Sequence, residues 1–139
     1  MIRFFKNANY LAESLSSKDE KLKSKAYNLM MHNEEHIYKG IGWYLDNGDF
    51  VEKYNKNILS VIRLENFDND ILKLSKLLGV KNINIVHERN ASKNKVVLSS
   101  LAINNIKTFY KDTDYKALES LRKYNFIDQQ TLNSYYDYN

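Results

Sequence analysis

Two stretches of this sequence carry side chains whose types and spacing could do chemistry. The first, HIYKGIGWYLDNGDF from His36 to Phe50, joins a histidine, glycines at 40 and 42, the only tryptophan and a neighbouring tyrosine. On a helix His36, Gly40 and Trp43 fall at i, i+4 and i+7, beside an apolar stripe of Ile37, Ile41 and Tyr44. Such a helix could line a cleft, with His36 as a polar contact or proton carrier and Trp43 and Tyr44 against an acceptor. The plainer alternative is tight helix packing around a satisfied histidine. Either way, glycine inside a helix costs about 1 kcal/mol against alanine. A closely approaching backbone or ligand should compensate.

The second stretch, HERNASKNK from His87 to Lys95, sets Arg89, Asn90, Ser92, Lys93 and Lys95 in one polar segment. Phosphate and sulfate groups favour such donors, arginine through a two-pronged geometry and lysine as a point charge. A solvated surface loop would have the same composition. Other chemistries find little support. His32 and His36 have zinc-ligand spacing, but HNEEH lacks the HExxH order and no third ligand is evident, so no metal is expected. There is no GxSxG, no CxxC, and no strand followed by a glycine-rich turn with Lys and Ser/Thr that would cradle a nucleotide phosphate. Glu65, directly after an apolar run, could serve a site or simply begin a helix.

The elements that must position these residues read as mostly helical. Ser17-Lys18-Asp19-Glu20 is a capping-box pattern ahead of Leu22, Ala26, Leu29 and Met30 at helical spacing. A second helix is predicted over about 33–46. ILSVIRL, Ile58 to Leu64, is apolar on both alternations and predicts a short buried strand. Asn66 or Asp68 then caps a helix carrying Phe67, Ile71, Leu74 and Leu78, with Gly79 as a left-handed stop. A weaker strand is predicted from Asn82 to Val86. Ser99 or Ser100 caps a helix with Ile103, Ile106 and Phe109; Thr113 or Asp114 opens another with Tyr115, Leu118 and Leu121; a last short helix starts near Asp128. The expected fold is mainly α with one or two short strands. A lone buried strand is awkward, because its backbone groups need partners.

A length of 139 residues suits one domain over 1–139, with 126–139 as a tail prone to fraying. No apolar run reaches membrane-spanning length, and without cysteine there is neither a disulfide framework nor a thiolate metal site, so a cytoplasmic protein is expected. The formal charge of +4 is mild, and the densest basic run, Lys18 to Lys25, is broken by acids. It reads as a solvated helix face, and neither nucleic acid nor membrane is an expected partner.

The order of segments resembles a known family. "NYLAESLSSKDEKLKSKAYNLM", then "HIYKGIGWYL", then "ILSVIRLENFDNDILKLSKLLGV", then "HERNAS" and "FYKDTDYKALESL" together look like the C-terminal half of bacterial sulfotransferase-like proteins related to the carbohydrate sulfotransferases. The resemblance spans about residues 7–124. It implies an α/β P-loop-type fold with a parallel sheet, and transfer of a sulfuryl group from phosphoadenosine phosphosulfate to a hydroxyl or amine of a small-molecule or carbohydrate acceptor. Arg89, Asn90, Ser92, Lys93 and Lys95 would lie near the nucleotide, and His36, Trp43 and Tyr44 nearer the acceptor. The family's nucleotide-binding loop belongs to its N-terminal half and has no counterpart here. The chain is therefore expected to be inactive alone, with a homo-oligomer or a chain supplying the missing half as its partner. A non-enzymatic helical interaction module that keeps the family's shape is the alternative.

Overall fold

A computed structural model describes residues 8–32, 36–81, 83–85 and 97–137. Among them the chain forms helices α1 (Ala8–Ser14), α2 (Glu20–His32), α3 (His36–Tyr44), α4 (Asp49–Tyr54), α5 (Phe67–Leu77), α6 (Ser100–Phe109), α7 (Lys116–Lys123) and α8 (Gln129–Tyr136). Short 3-10 turns occupy Asp46–Gly48 and Leu64–Asn66, and a π-helical turn, Lys111–Tyr115, leads into α7.

The mainly helical expectation holds, but the strands do not form among the described residues. Ile58 to Arg63 is neither helix nor strand, and Leu64 already begins a 3-10 turn. The reason lies in which side chains are used. Ile58 and Val61, three apart, pack against the core, while Leu59 and Ile62 face outward. That is not the period of two a strand requires, and among the described residues no neighbouring strand offers a hydrogen-bonding edge. The weaker strand, Asn82 to Val86, lies partly outside the described residues; positions 83–85 are irregular.

Three predicted helix ends, at Ser99, Asp128 and Gly79, are borne out, each by a particular hydrogen bond, whereas Asn66 precedes α5 without a side-chain cap and Thr113 and Asp114 lie inside the π-helical turn ahead of α7. Ser99 Oγ accepts from the Ala102 amide at 3.1 Å to start α6, and Asp128 accepts from the Thr131 amide at 2.7 Å to start α8. Gly79, at φ +67°, ends α5 as predicted, with the Val80 amide reaching back to the Ser75 carbonyl at 2.9 Å. The start of α2 differs from the predicted capping box. Ser17 Oγ accepts from the Asp19 amide, and Asp19 then accepts from Lys21 at 2.9 Å, so the aspartate and not the serine is the cap.

The core gathers Leu15, Val51, Leu98, Ile106, Tyr110, Tyr115, Leu118, Leu121, Ile127 and Leu132. Ala8 and Ala12 of α1 and Ala102 of α6 are completely buried, so these two helices meet through small side chains. Polar groups fasten the same pair. Asn9 donates to the Val97 carbonyl at 2.9 Å and accepts from the Ser99 amide at 2.8 Å, and Asn105 donates to the Ala12 carbonyl at 2.9 Å. Ile127 and Leu132 are buried, so the chain beyond residue 126 is held to the core at these points, where fraying was expected.

Candidate functional site

The glycines of HIYKGIGWYL have a structural explanation. Gly40 sits at φ 60°, ψ −170°, a left-handed conformation that breaks α3 into two short pieces. The bend is held from across the molecule. The Asp114 carboxylate in the π-helical turn accepts from the Gly42 amide at 2.8 Å and from the Ile41 amide. A Cβ at Gly40 would fall on that carboxylate. One at Gly42 would stand 2.5 Å from the Thr113 carbonyl carbon and 2.8 Å from the Asp114 nitrogen. The compensating close approach anticipated for these glycines is therefore the Asp114 carboxylate at Gly40 and another backbone at Gly42.

Burial pushes the Asp114 carboxyl above the ordinary aspartate range, and the two amide donors only partly oppose this. The following turn repeats the arrangement. Asp46, Asn47 and Gly48 all have positive φ, and a Cβ on Gly48 would lie 3.1 Å from the Lys116 carbonyl oxygen of α7. HIYKGIGWYLDNGDF is thus a bent helix and a left-handed turn laid onto the 111–120 region.

Of its candidate site residues, Trp43 and Tyr44 lie on the surface. Trp43 and Tyr44 are 58% and 52% exposed, with their rings edge to face at 5.0 Å and the Lys39 ammonium 4.4 Å from the Trp43 ring centre. His36 begins α3, and its side chain lies outside the described residues. Arg89, Asn90, Ser92, Lys93 and Lys95 all lie outside the described residues as well. Among the described residues no group of His, Asp or Glu is arranged to hold a metal. A shallow, solvent-open depression along α2 is lined by Glu20, Lys21, Ser24, Lys25, Asn28 and Leu29. It runs along a single helix face and is not a pocket that would enclose a ligand.

The most developed polar cluster is one that sequence reasoning passed over. Arg63 forks onto Asp70 through Nε at 2.7 Å and a terminal nitrogen at 2.8 Å, and its other terminal nitrogen donates to Thr131 Oγ1 at 2.7 Å. Asp70 also accepts from the Arg63 amide at 3.1 Å and from Asn66 Nδ2 at 3.0 Å. Tyr135 Oη donates to Glu65 beside it. Asp70 is 4% exposed. The guanidinium holds its carboxyl down to about 2, and burial only partly offsets this.

Burial together with the Glu65 hydrogen bond pushes the Tyr135 phenol far above its usual range. Both Asp70 oxygens are engaged, and the cluster fastens Ile58–Asn66 onto α5 and α8. The readable signal was Arg63, Asn66 and Asp70 at i, i+3 and i+7 across the start of a helix. That pattern points to a clip once the preceding segment is recognised as irregular.

A run of large apolar side chains remains outside. Leu59, Ile62 and Leu64 on the irregular segment, and Leu72, Leu77, Leu78 and Val80 on and after α5, are exposed, Leu64 to 88%. α5 makes substantial contact only with the 3-10 turn that precedes it among the described elements. No helix among the described residues is long and apolar enough to cross a membrane. The chain matches no protein-family model, no curated protein and no solved structure.

Proposed function

We propose that this chain is a helical docking module, incomplete as a catalyst, whose uncovered apolar surface along Leu59–Leu64 and α5 receives a partner polypeptide. The observation that carries the reading is that surface. Isolated exposed apolar residues are ordinary, but seven large ones gathered on one segment, the helix after it and the turn beyond support an interaction site. Its base is rigid. The Arg63–Asp70 fork and the Thr131 bond pin the segment, so docking would order few further groups.

The test is fluorescence of anilinonaphthalene sulfonate with light scattering over a concentration series. The expected outcome is a dye response from the 16.4 kDa monomer that falls in a Leu64→Ser/Leu77→Ser variant. No dye response, or one unchanged in that variant, overturns the proposal.

The sulfotransferase-like reading places this module within a sulfuryl-transfer protein whose nucleotide cradle comes from residues other than these. Its support is the order of the resembling segments, together with one contact. HIYKGIGWYL and FYKDTDYKALESL, far apart in sequence, are joined at Gly42 and Asp114. On this reading Arg89, Asn90, Ser92, Lys93 and Lys95 face the donor, and Trp43 and Tyr44 remain accessible to an acceptor. Calorimetry with adenosine 3′,5′-bisphosphate tests it. Saturable heat weakened by Arg89→Ala supports a nucleotide role, and no heat at high protein concentration removes that role from this chain.

A further inference from the structure

The outer face of α5 has a charge pattern that selects what covers it. At about 100° per residue, its exposed side chains run in the order Asp68, Leu72, Lys76, Asn69, Lys73, Leu77 across an arc of about 180°. The two lysines thus lie between the two leucines, and Asp68, in the first turn, lies outside Leu72. Beyond the helix Leu78, Val80 and Lys81 continue the same mixture, and the span from Ile71 to Lys81 contains no acid. Lys73 acts on Asp128 from a distance, while Lys76 and Lys81 have no ion-pair partner among the described residues.

From this pattern we infer that the α5 face docks an acidic amphipathic helix of a partner protein. Carboxylates would lie over Lys73 and Lys76, with apolar anchors reaching Leu72 on one side and Leu77, Leu78 and Val80 on the other. This rests on the docking-module reading and names its partner's chemistry.

Charge and geometry separate this occupant from others. A second copy joined through the same face would set lysine against lysine, and like charges in a desolvated contact are costly. A lipid surface accepts the apolar side of a helix whose charged residues lie on the opposite side. Here the lysines lie between the leucines, so both edges cannot insert without carrying ammonium groups into the acyl boundary. A nucleic-acid backbone would satisfy the lysines and leave the leucines in water. An acidic helix meets both, with opposite charge speeding encounter and fixing register while the leucines supply the buried area.

The probe is a fluorescein-labelled amphipathic peptide of leucine and glutamate, read by anisotropy against the full chain. A peptide of the same pattern with lysine for glutamate, and vesicles of phosphatidylserine with phosphatidylcholine, complete the set. The expected result is saturable binding of the glutamate peptide alone, weakened by salt and reduced at least about tenfold by Lys76→Glu/Lys81→Glu. Lys76→Gln/Lys81→Gln should give an intermediate loss, and both variants should keep the far-ultraviolet circular dichroism of the parent. Equal affinity for the two peptides, preference for vesicles, or an unchanged affinity in the charge-reversed variant overturns the inference. The dye response governed by Leu64 and Leu77 is independent of these charges. The docking reading therefore survives a failure of the acidic-partner inference, and its own failure is seen in the dye experiment.

Discussion

Asp70→Ala isolates the interaction that holds the Ile58–Asn66 segment to the helices. In the folded chain Asp70 receives the Arg63 fork, the Arg63 amide and Asn66, and its pKa falls from 3.8 to about 2. At 1.36 kcal/mol per pKa unit this is about 2.4 kcal/mol of preference for the ionised form. The Arg63 side chain is 17% exposed, so water screens part of it, and about 1–2 kcal/mol is the stability to expect at neutral pH.

Removing the carboxylate also strands a largely buried guanidinium, which raises the expected loss to about 2–3 kcal/mol. Urea unfolding followed by circular dichroism reads this as a drop in midpoint at unchanged slope. The pH dependence has a fixed sign. The depressed folded pKa means that the unfolded chain binds more protons between about pH 4 and 2, so this contribution is complete above the unfolded value and is lost as pH falls through about 2. Asp70→Asn should flatten that acid limb. A loss below about 0.5 kcal/mol for Asp70→Ala, or additive losses in an Arg63→Ala/Asp70→Ala double-mutant cycle, would refute the clip.

Asp114 should behave in the opposite sense. Its folded pKa is raised, so the native state binds the proton more readily and stability from this group falls as pH rises through that value. Asp114→Asn, which keeps an oxygen acceptor, should be nearly neutral at pH 7. Asp114→Ala strands the Ile41 and Gly42 amides and should cost about 1–2 kcal/mol, with an altered emission from Trp43, the only tryptophan. The glycines should separate two kinds of cost in thermal unfolding. Gly42→Ala meets the Thr113 backbone and should lose about 2 kcal/mol or more, whereas Gly79→Ala has open space and only a positive φ, for about 1 kcal/mol.

Several helices and their ends were legible in the sequence, because they depend on neighbours a few residues away, whereas α1 and α4 were not anticipated. Leu118 with Leu121, Ser99 before α6, Asp128 before α8 and Gly79 after α5 carry their instructions locally. The close approach at Gly40 and Gly42 could also be anticipated, since glycine inside a helix needs a reason. Its agent could not be. Asp114 is 72 residues away, and nothing in the local sequence says which distant carboxylate caps the bent helix.

ILSVIRL marks the limit most clearly. Its β-branched composition permits a strand, but a strand exists only through the hydrogen bonds of a neighbour. With none beside it among the described residues, Ile58 and Val61 turn to the core and Arg63 turns to Asp70. Composition and periodicity thus determined several of the helices, the stop at Gly79 and the expectation of a close contact. Only the tertiary structure decided the pairing of Arg63 with Asp70, the seating of the bend on Asp114, and the exposure of Leu72 and Leu77 on α5. Each of those depends on which groups meet across long stretches of chain.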